Sequence, residues 1–171
     1  NYEVEWRAVL ASNATGGILC LWKKDMWSVL DEAYGKSFIG LKGVWKDGNL
    51  SCVITNVYAS CDVEEKRKVW EDLVSLKNRW GGGDFWCVLG DFNSVRRTED
   101  KKDVRNNLVG DRDPNMFNKF IFYMELEDLP MVGRKYTRYR SSGHSKSRLD
   151  RILVSDAWII NGRVVHNISL I

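Results

Sequence analysis

Histidine is scarce in this sequence, with two residues, His144 and His166, among 171. His144 stands in a Ser/Gly segment, and His166 follows Val164-Val165 without a neighbouring acid to orient and activate it. A serine-nucleophile mechanism or a zinc mechanism therefore finds no constellation here. The four cysteines, Cys20, Cys52, Cys61 and Cys87, are widely spaced, and three lie in apolar runs where reduced Cys acts as a small hydrophobe. That spacing suggests neither a zinc site nor a disulfide framework. No apolar run approaches the roughly 18 residues that cross a bilayer, and no secretion signal is recognisable, so a soluble intracellular chain is expected. Repeats and low-complexity tracts are absent, and a net charge of +3 is too mild to name a partner.

What is present is enough apolar and aromatic residue, 44% and 12%, to bury one substantial core, so a single domain is expected over residues 1–171. Val4 to Ala11 and Gly17 to Trp22 suit a strand hairpin, which Trp27 to Leu30 extends. Ser37 to Trp45 and Leu50 to Ala59 form a second hairpin around Asp47-Gly48, a dipeptide that tolerates positive φ. Asp62 caps a helix with Glu64 and Glu65 in its first turn and Val69, Trp70, Leu73, Leu76 and Trp80 on one stripe, ended by the glycines from Gly81. Phe85 to Leu89 reads as a strand covered on both faces, residues 94–113 as a charged loop, and Asp113-Pro114 as the start of a helix with Phe117, Phe120, Ile121 and Met124 inward. Leu126 to Pro130 closes that helix, and Arg134 to Arg140 and Arg148 to Val154 read as two further strands flanking residues 141–143. The segment from Trp158 onward is too short to place. Hairpins mixed with amphipathic helices give an α/β class.

Chemistry concentrates where the buried strand ends, at Gly90-Asp91-Phe92-Asn93. The i, i+2 spacing turns Asp91 and Asn93 to one side if the backbone stays extended. A carboxylate can hold a hard cation or take a proton from water, and a neutral amide can donate to a phosphate oxygen without repelling it. The same pair also suits an ordinary turn. Asp150 shares strand parity with Ile152 and Val154, a costly place for an unpaired charge, so it needs a partner, which Arg148 or Arg151 could also supply. Tyr58, at a strand end, is equally compatible with a core position. Seven Lys or Arg residues between Arg134 and Arg151 face only Asp150 in opposition; most suit a solvated hairpin, and some could meet a polyanion.

Taken in order, Gly16-Gly-Ile-Leu-Cys-Leu-Trp22, Asn56-Val-Tyr58, Gly90-Asp-Phe-Asn-Ser-Val-Arg96, Leu126-Glu-Asp-Leu-Pro130, Gly133-Arg-Lys-Tyr-Thr137 and Ser147-Arg-Leu-Asp-Arg151 resemble the endonuclease/exonuclease/phosphatase superfamily. They are most similar to the apurinic-type endonuclease domain of plant non-long-terminal-repeat retrotransposons. The resemblance implies a four-layer α/β sandwich, two mixed sheets face to face with helices outside, that hydrolyses phosphodiesters with Mg²⁺ or Mn²⁺. By carry-over, Asp91 orients or deprotonates the attacking water, Asn93 binds phosphate, Tyr58 contacts phosphate, and Asp150 orients a catalytic histidine. Asp91 and Asn93 are the metal-site residues, and Arg96, Arg138, Arg140 and Arg148 meet nucleic acid. The implied partner is DNA, with a fused reverse transcriptase and a nuclear location.

The family pattern also has an Asn and a metal-binding Glu on early strands and a closing Ser-Asp-His, which this sequence does not match. The expectation is a chain without the first strands and last motif of its domain, inactive alone. Cys61 stands where relatives of Tyr58 often carry a phosphate-contacting Asn, and Arg138 where the plant elements usually have Trp. Two other functions stay open: a non-catalytic remnant with residual nucleic-acid binding, and the same fold acting on a phosphoinositide or other phosphoester.

Overall fold

In the second hairpin, β-branched and aromatic residues alternate around a turn that requires positive φ, and this hairpin starts the central sheet. The computed structural model describes residues 3–11, 16–81, 85–102, 112–131, 133, 135–139 and 145–161. Arg134, Arg140, residues 141–144 and residues 162–171 therefore lie outside the described residues, and with them the candidate Arg140 and both histidines. Strands β3 (Trp27–Gly35), β4 (Phe38–Trp45) and β5 (Leu50–Tyr58) form an antiparallel meander. At the β4–β5 turn the left-handed conformation falls on Gly48 and Asn49, with φ of 89° and 51°.

Helix α1 (Val63–Trp80) follows, capped by the Asp62 side chain, which accepts from the Glu65 N–H. It returns the chain to β6 (Phe85–Asp91), which pairs parallel to β5. Strand β11 (Asp150–Ser155) lies antiparallel on the other side of β6, and β8 (Leu126–Asp128) pairs with β11, giving the order β3-β4-β5-β6-β11-β8. Leu126 to Asp128 is thus an edge strand, not the end of helix α2 (Arg112–Tyr123); the helix stops at a turn where Glu125 takes φ 49°. Likewise, among the described residues of the strand expected over Arg134 to Arg140, the part that pairs is β9 (Arg138–Tyr139), against β10 (Lys146–Ser147). Within the charged segment after β6, a 3-10 turn (Thr98–Asp100) leads to the short strand β7 (Lys101–Lys102), which pairs with β10. Trp158, buried in α3 (Asp156–Asn161), meets Phe85 edge to face at 5.6 Å.

The central sheet has two apolar faces. On one, Val53, Val57, Trp86, Val88 and Leu153 meet α1 and α2, where Trp70 stacks on Phe120 at 4.7 Å and touches Phe92 and Phe117. Each such large side chain contributes about 1.5–3 kcal/mol on burial. On the other, Ile39, Leu41, Cys52, Cys87, Leu89 and Val154 pack against a two-stranded sheet of β1 (Val4–Val9) and β2 (Ile18–Lys23). Helices, a six-stranded sheet and a second sheet are therefore stacked face to face. All four cysteines are free thiols, and burial pushes Cys87 up to about 12, which removes it as a nucleophile. Among the described residues, no helix is long and apolar enough to cross a membrane.

Candidate metal-phosphate site

Strand parity decides which side chains meet. Tyr58 follows Cys52, Ile54 and Asn56, Asp91 follows Cys87 and Leu89, and Asp150 precedes Ile152 and Val154, so all three point to the face shared with the β1–β2 sheet. Register places them in one row: Tyr58 pairs with Asp91 across the parallel β5–β6 ladder, and Asp91 pairs with Asp150 across β6–β11. Residues directly opposite in an antiparallel pair have Cβ atoms about 4.5–5.5 Å apart, so the two carboxylates are neighbours. The row lies at the carboxyl ends of the two parallel strands, where the chain leaves the sheet and a crevice can form. A cleft of about 510 Å³ opens there, lined by Asn56, Tyr58, Asp91 and Asp150 and by Leu19 and Leu21 of β2. A second cleft of about 450 Å³ on the other side of Tyr58 is lined by Lys36, Cys61, Glu65 and Asn93.

Gly90 makes the row possible. Its φ is 132°, and a Cβ there would lie 1.9 Å from the Val57 carbonyl oxygen, so only glycine lets β6 close on β5 just before Asp91. Beyond it, Asn93 turns left-handed at φ 45° and is held at every polar atom. Its N–H donates to Asp91 Oδ1 at 2.8 Å, its Nδ2 to the Ala59 carbonyl at 2.7 Å, and its carbonyl accepts from Lys66 Nζ at 3.0 Å. Its Oδ1 accepts from Arg138 Nη1 at 3.2 Å, with the Cys61 thiol at 3.6 Å. The side-chain oxygen of Asn93 thus faces a guanidinium, whereas the Asn93 N–H engages only one of the two Asp91 oxygens. An amide has two N–H donors, and one remains after the bond to Ala59.

Burial pushes the Asp91 carboxyl up; the Asn93 N–H bond opposes this, the Asp150 charge adds to it, and Arg138 and Lys66 act against it, with a net rise. Arg148 and Arg151 do not neutralise Asp150. They bind Asp128, at 2.7 and 2.6 Å, and Arg151 also binds Asp100 at 2.7 Å. Two acids that face each other at a strand end, one with an oxygen left over after its main-chain bond, suit a hard cation that takes one or two carboxylates and keeps water or phosphate on its remaining positions. Among the described residues, no group of three or more His, Cys, Asp and Glu side chains stands ready for a metal. The carboxylates present therefore fit part of a magnesium shell.

A carboxyl whose folded pKa is raised stabilises the fold only while protonated, and that contribution is lost as pH rises through the raised value. At neutral pH the ionised Asp91 is a liability in the cation-free protein. Asp91→Asn is expected to gain about 0.5–2 kcal/mol at pH 7 in urea melts without divalent cation. The gain should vanish below the carboxylate range, and an unchanged or lower stability at pH 7 would contradict the geometry.

Of the arginines expected to meet nucleic acid, Arg138 lies at the site and is exposed. Arg96 and Arg148 are turned inward: Arg96 binds Asp128 and Asn118, and Arg148 binds Asp128 and the Leu129 carbonyl. Their guanidinium groups are engaged in the fold because Asp128 sits on edge strand β8, beside β11. The sequence reading missed Lys66, which is buried on the apolar stripe of α1. Its signal was available, since Lys66 falls at the i−3 and i−4 positions of Val69 and Trp70.

No curated protein matches the chain. Among solved structures, the endonuclease domain of TRAS1, a telomere-specific non-LTR retrotransposon, superposes with a TM-score of 0.68 at 12% identity, covering 92% of this chain and 69% of that one. The catalytic domain of human Nocturnin with bound sulfate gives 0.57 at 16% identity, covering 90% and 60%. A mannosyl-6-phosphatase of Bacteroides thetaiotaomicron gives 0.53 at 15% identity, covering 89% and 62%. The chain thus spans less than two thirds of the length of the latter two. At these identities the likeness shows a shared α/β fold. The sequence profile of the Endonuclease/Exonuclease/phosphatase family matches residues 5–171, and the chain belongs to that family.

Proposed function

We propose that the row of Tyr58, Asp91 and Asp150, with Asn93 beside it, is part of a magnesium-dependent phosphodiesterase site that nicks DNA in a retrotransposon endonuclease. The supporting observation is the register itself, which sets a phenol and two carboxylates side by side at the mouth of one cleft. Asp91 and Asp150 are the groups to hold the cation. Bound there, Mg²⁺ or Mn²⁺ would neutralise the charge that develops on the phosphate oxygens.

The remaining roles belong to this chain. Asp91 Oδ1 is anchored by the Asn93 N–H, so its second oxygen is the one free to face the cation and orient the water beside it. The spare N–H of Asn93 and the exposed Tyr58 hydroxyl are donors for phosphate oxygens. Arg138 adds a positive charge at the rim. Asp150 is suited to orient a cationic base such as an imidazole. In this reading the partner is DNA, the location is the nucleus, and a reverse transcriptase shares the full-length protein.

Among the described residues the site offers two carboxylates without a further acid or base beside them, and each such group typically contributes factors of hundreds or more to turnover. The expected result for the 171-residue chain is Mn²⁺ binding that broadens amide signals around Asp91 and Asp150, is lost in Asp91→Asn, and is accompanied by at most trace nicking of supercoiled plasmid. Absence of Mn²⁺ binding would sink the proposal, and nicking at full rate that EDTA abolishes would show that the chain needs no further groups. A second substrate class has support in the fold, because one neighbour is a mannosyl-6-phosphatase. Mannose 6-phosphate, and not plasmid, protecting the cleft from Mn²⁺ broadening would favour that class.

A further inference from the structure

We propose that Lys66 is a positioning residue of this site, whose buried ammonium fixes the turn that aims Asp91 and Asn93 into the cleft. The inference rests on reading the Tyr58–Asp91–Asp150 row as a phosphate site. Lys66 is 2% exposed, on the first turn of α1. An ammonium has three N–H donors, and all three are used: the Asn93 carbonyl at 3.0 Å, the Ser94 hydroxyl at 3.2 Å and the Asp113 carboxylate at 2.6 Å. Ser94 Oγ in turn donates to the same Asp113 oxygen at 3.0 Å, which closes a triangle between α1, the site turn and α2.

The bond to the Asn93 carbonyl matters most for the site. Asn93 holds a left-handed conformation that a residue with a side chain adopts at a cost, and surrounding bonds must over-determine it. Its N–H, on the peptide just before the one that Lys66 holds, is the donor that fixes Asp91 Oδ1, so a change in the backbone angles of Asn93 reaches the acid as well as the amide. A buried lysine that loses its amine also takes an ion pair away from Asp113, whose side chain is only 16% exposed.

A purely structural role is separable because α1 carries a matched control. Lys77 is also buried on the same stripe, and it too binds a carbonyl and a carboxylate, Met124 O at 2.7 Å and Glu125 Oε2 at 2.8 Å, beside a residue with positive φ. It lies at the opposite end of the helix, away from the row.

The experiment compares Lys66→Met with Lys77→Met by amide NMR and hydrogen exchange. In Lys66→Met the backbone and side-chain amide signals of Asn93 should shift, and its amide should exchange about tenfold faster. In Lys77→Met both should match the parent protein, whatever stability the loss of its bond to the Met124 carbonyl costs. In parallel, Mn²⁺ affinity should fall about tenfold in Lys66→Met only. Unchanged Asn93 signals in Lys66→Met, or equal changes in Lys77→Met, would overturn the proposal. Should Lys66→Met fail to fold, Lys66→Arg and Lys77→Arg replace the pair under the same criteria. A parent protein that binds no Mn²⁺ would remove the metal-phosphate reading, while the Asn93 signals would still decide the role of Lys66.

Discussion

Gly90→Ala is expected to abolish the native fold, with a cost above about 4 kcal/mol. Two effects add. The residue sits at φ 132°, outside the range L side chains adopt readily, and the new Cβ would stand 1.9 Å from the Val57 carbonyl oxygen and 2.9 Å from the Val57 nitrogen. Neither neighbour can yield cheaply, because both are backbone atoms inside the parallel β5–β6 ladder, where Val57 pairs with Gly90. Relief requires β6 to move off β5, and that breaks the register of Tyr58 with Asp91. Gly48→Ala is the comparison: φ is 89°, but nothing lies within 4 Å of the added carbon, so the expected cost is only about 1–2 kcal/mol. Urea unfolding followed by circular dichroism measures both. A Gly90→Ala protein with a midpoint near that of the parent would mean that the two strands do not approach as described.

Much of the fold was legible because its signals are local. The β4–β5 hairpin, α1 with its Asp62 cap and the two-faced burial of β6 follow from spacing and turn chemistry within a few residues. Strand β8 was not, since Leu126 to Asp128 becomes a strand only by pairing with Leu153 to Ser155, well downstream. The site divides in the same way. Strand parity put Asp150 on an apolar face and Asp91 at a strand end, and register then joined them with Tyr58. The anchoring of Asn93 was hidden, because its five partners come from segments on either side of it and its φ is positive. The inward pairing of the arginines was hidden for one physical reason: a charged residue in a basic stretch looks solvated until its acids, here Asp100 and Asp128, are brought in from elsewhere in the chain.

Those acids make Arg151 the second large effect. Its side chain is fully buried and bridges Asp100 on the 3-10 turn, Asp128 on β8 and the Arg148 carbonyl, with its guanidinium 5.7 Å from the Phe117 ring. Burial raises the Asp100 carboxyl, but Arg151 and the N–H groups of Arg96 and Arg97 outweigh it and hold it below the usual carboxylate range. A carboxyl with a depressed folded pKa contributes stability above its unfolded value and loses it as pH falls through the folded one. Arg151→Met keeps most of the volume but takes a buried cation from two acids, leaving Asp128 to Arg96 and Arg148 and Asp100 to the Arg96 and Arg97 N–H groups, so the expected loss is about 3–5 kcal/mol at pH 7. Against a total stability of about 5–15 kcal/mol this is a large share. The loss should shrink in acid, where a protonated Asp100 no longer needs a cation. Urea midpoints at pH 7 and below the carboxylate range test both statements, and a pH-independent loss would mean that packing on Phe117, not charge, is what Arg151 supplies. Because β11 carries Asp150 immediately before Arg151, the same substitution should also loosen the strand that completes the candidate site.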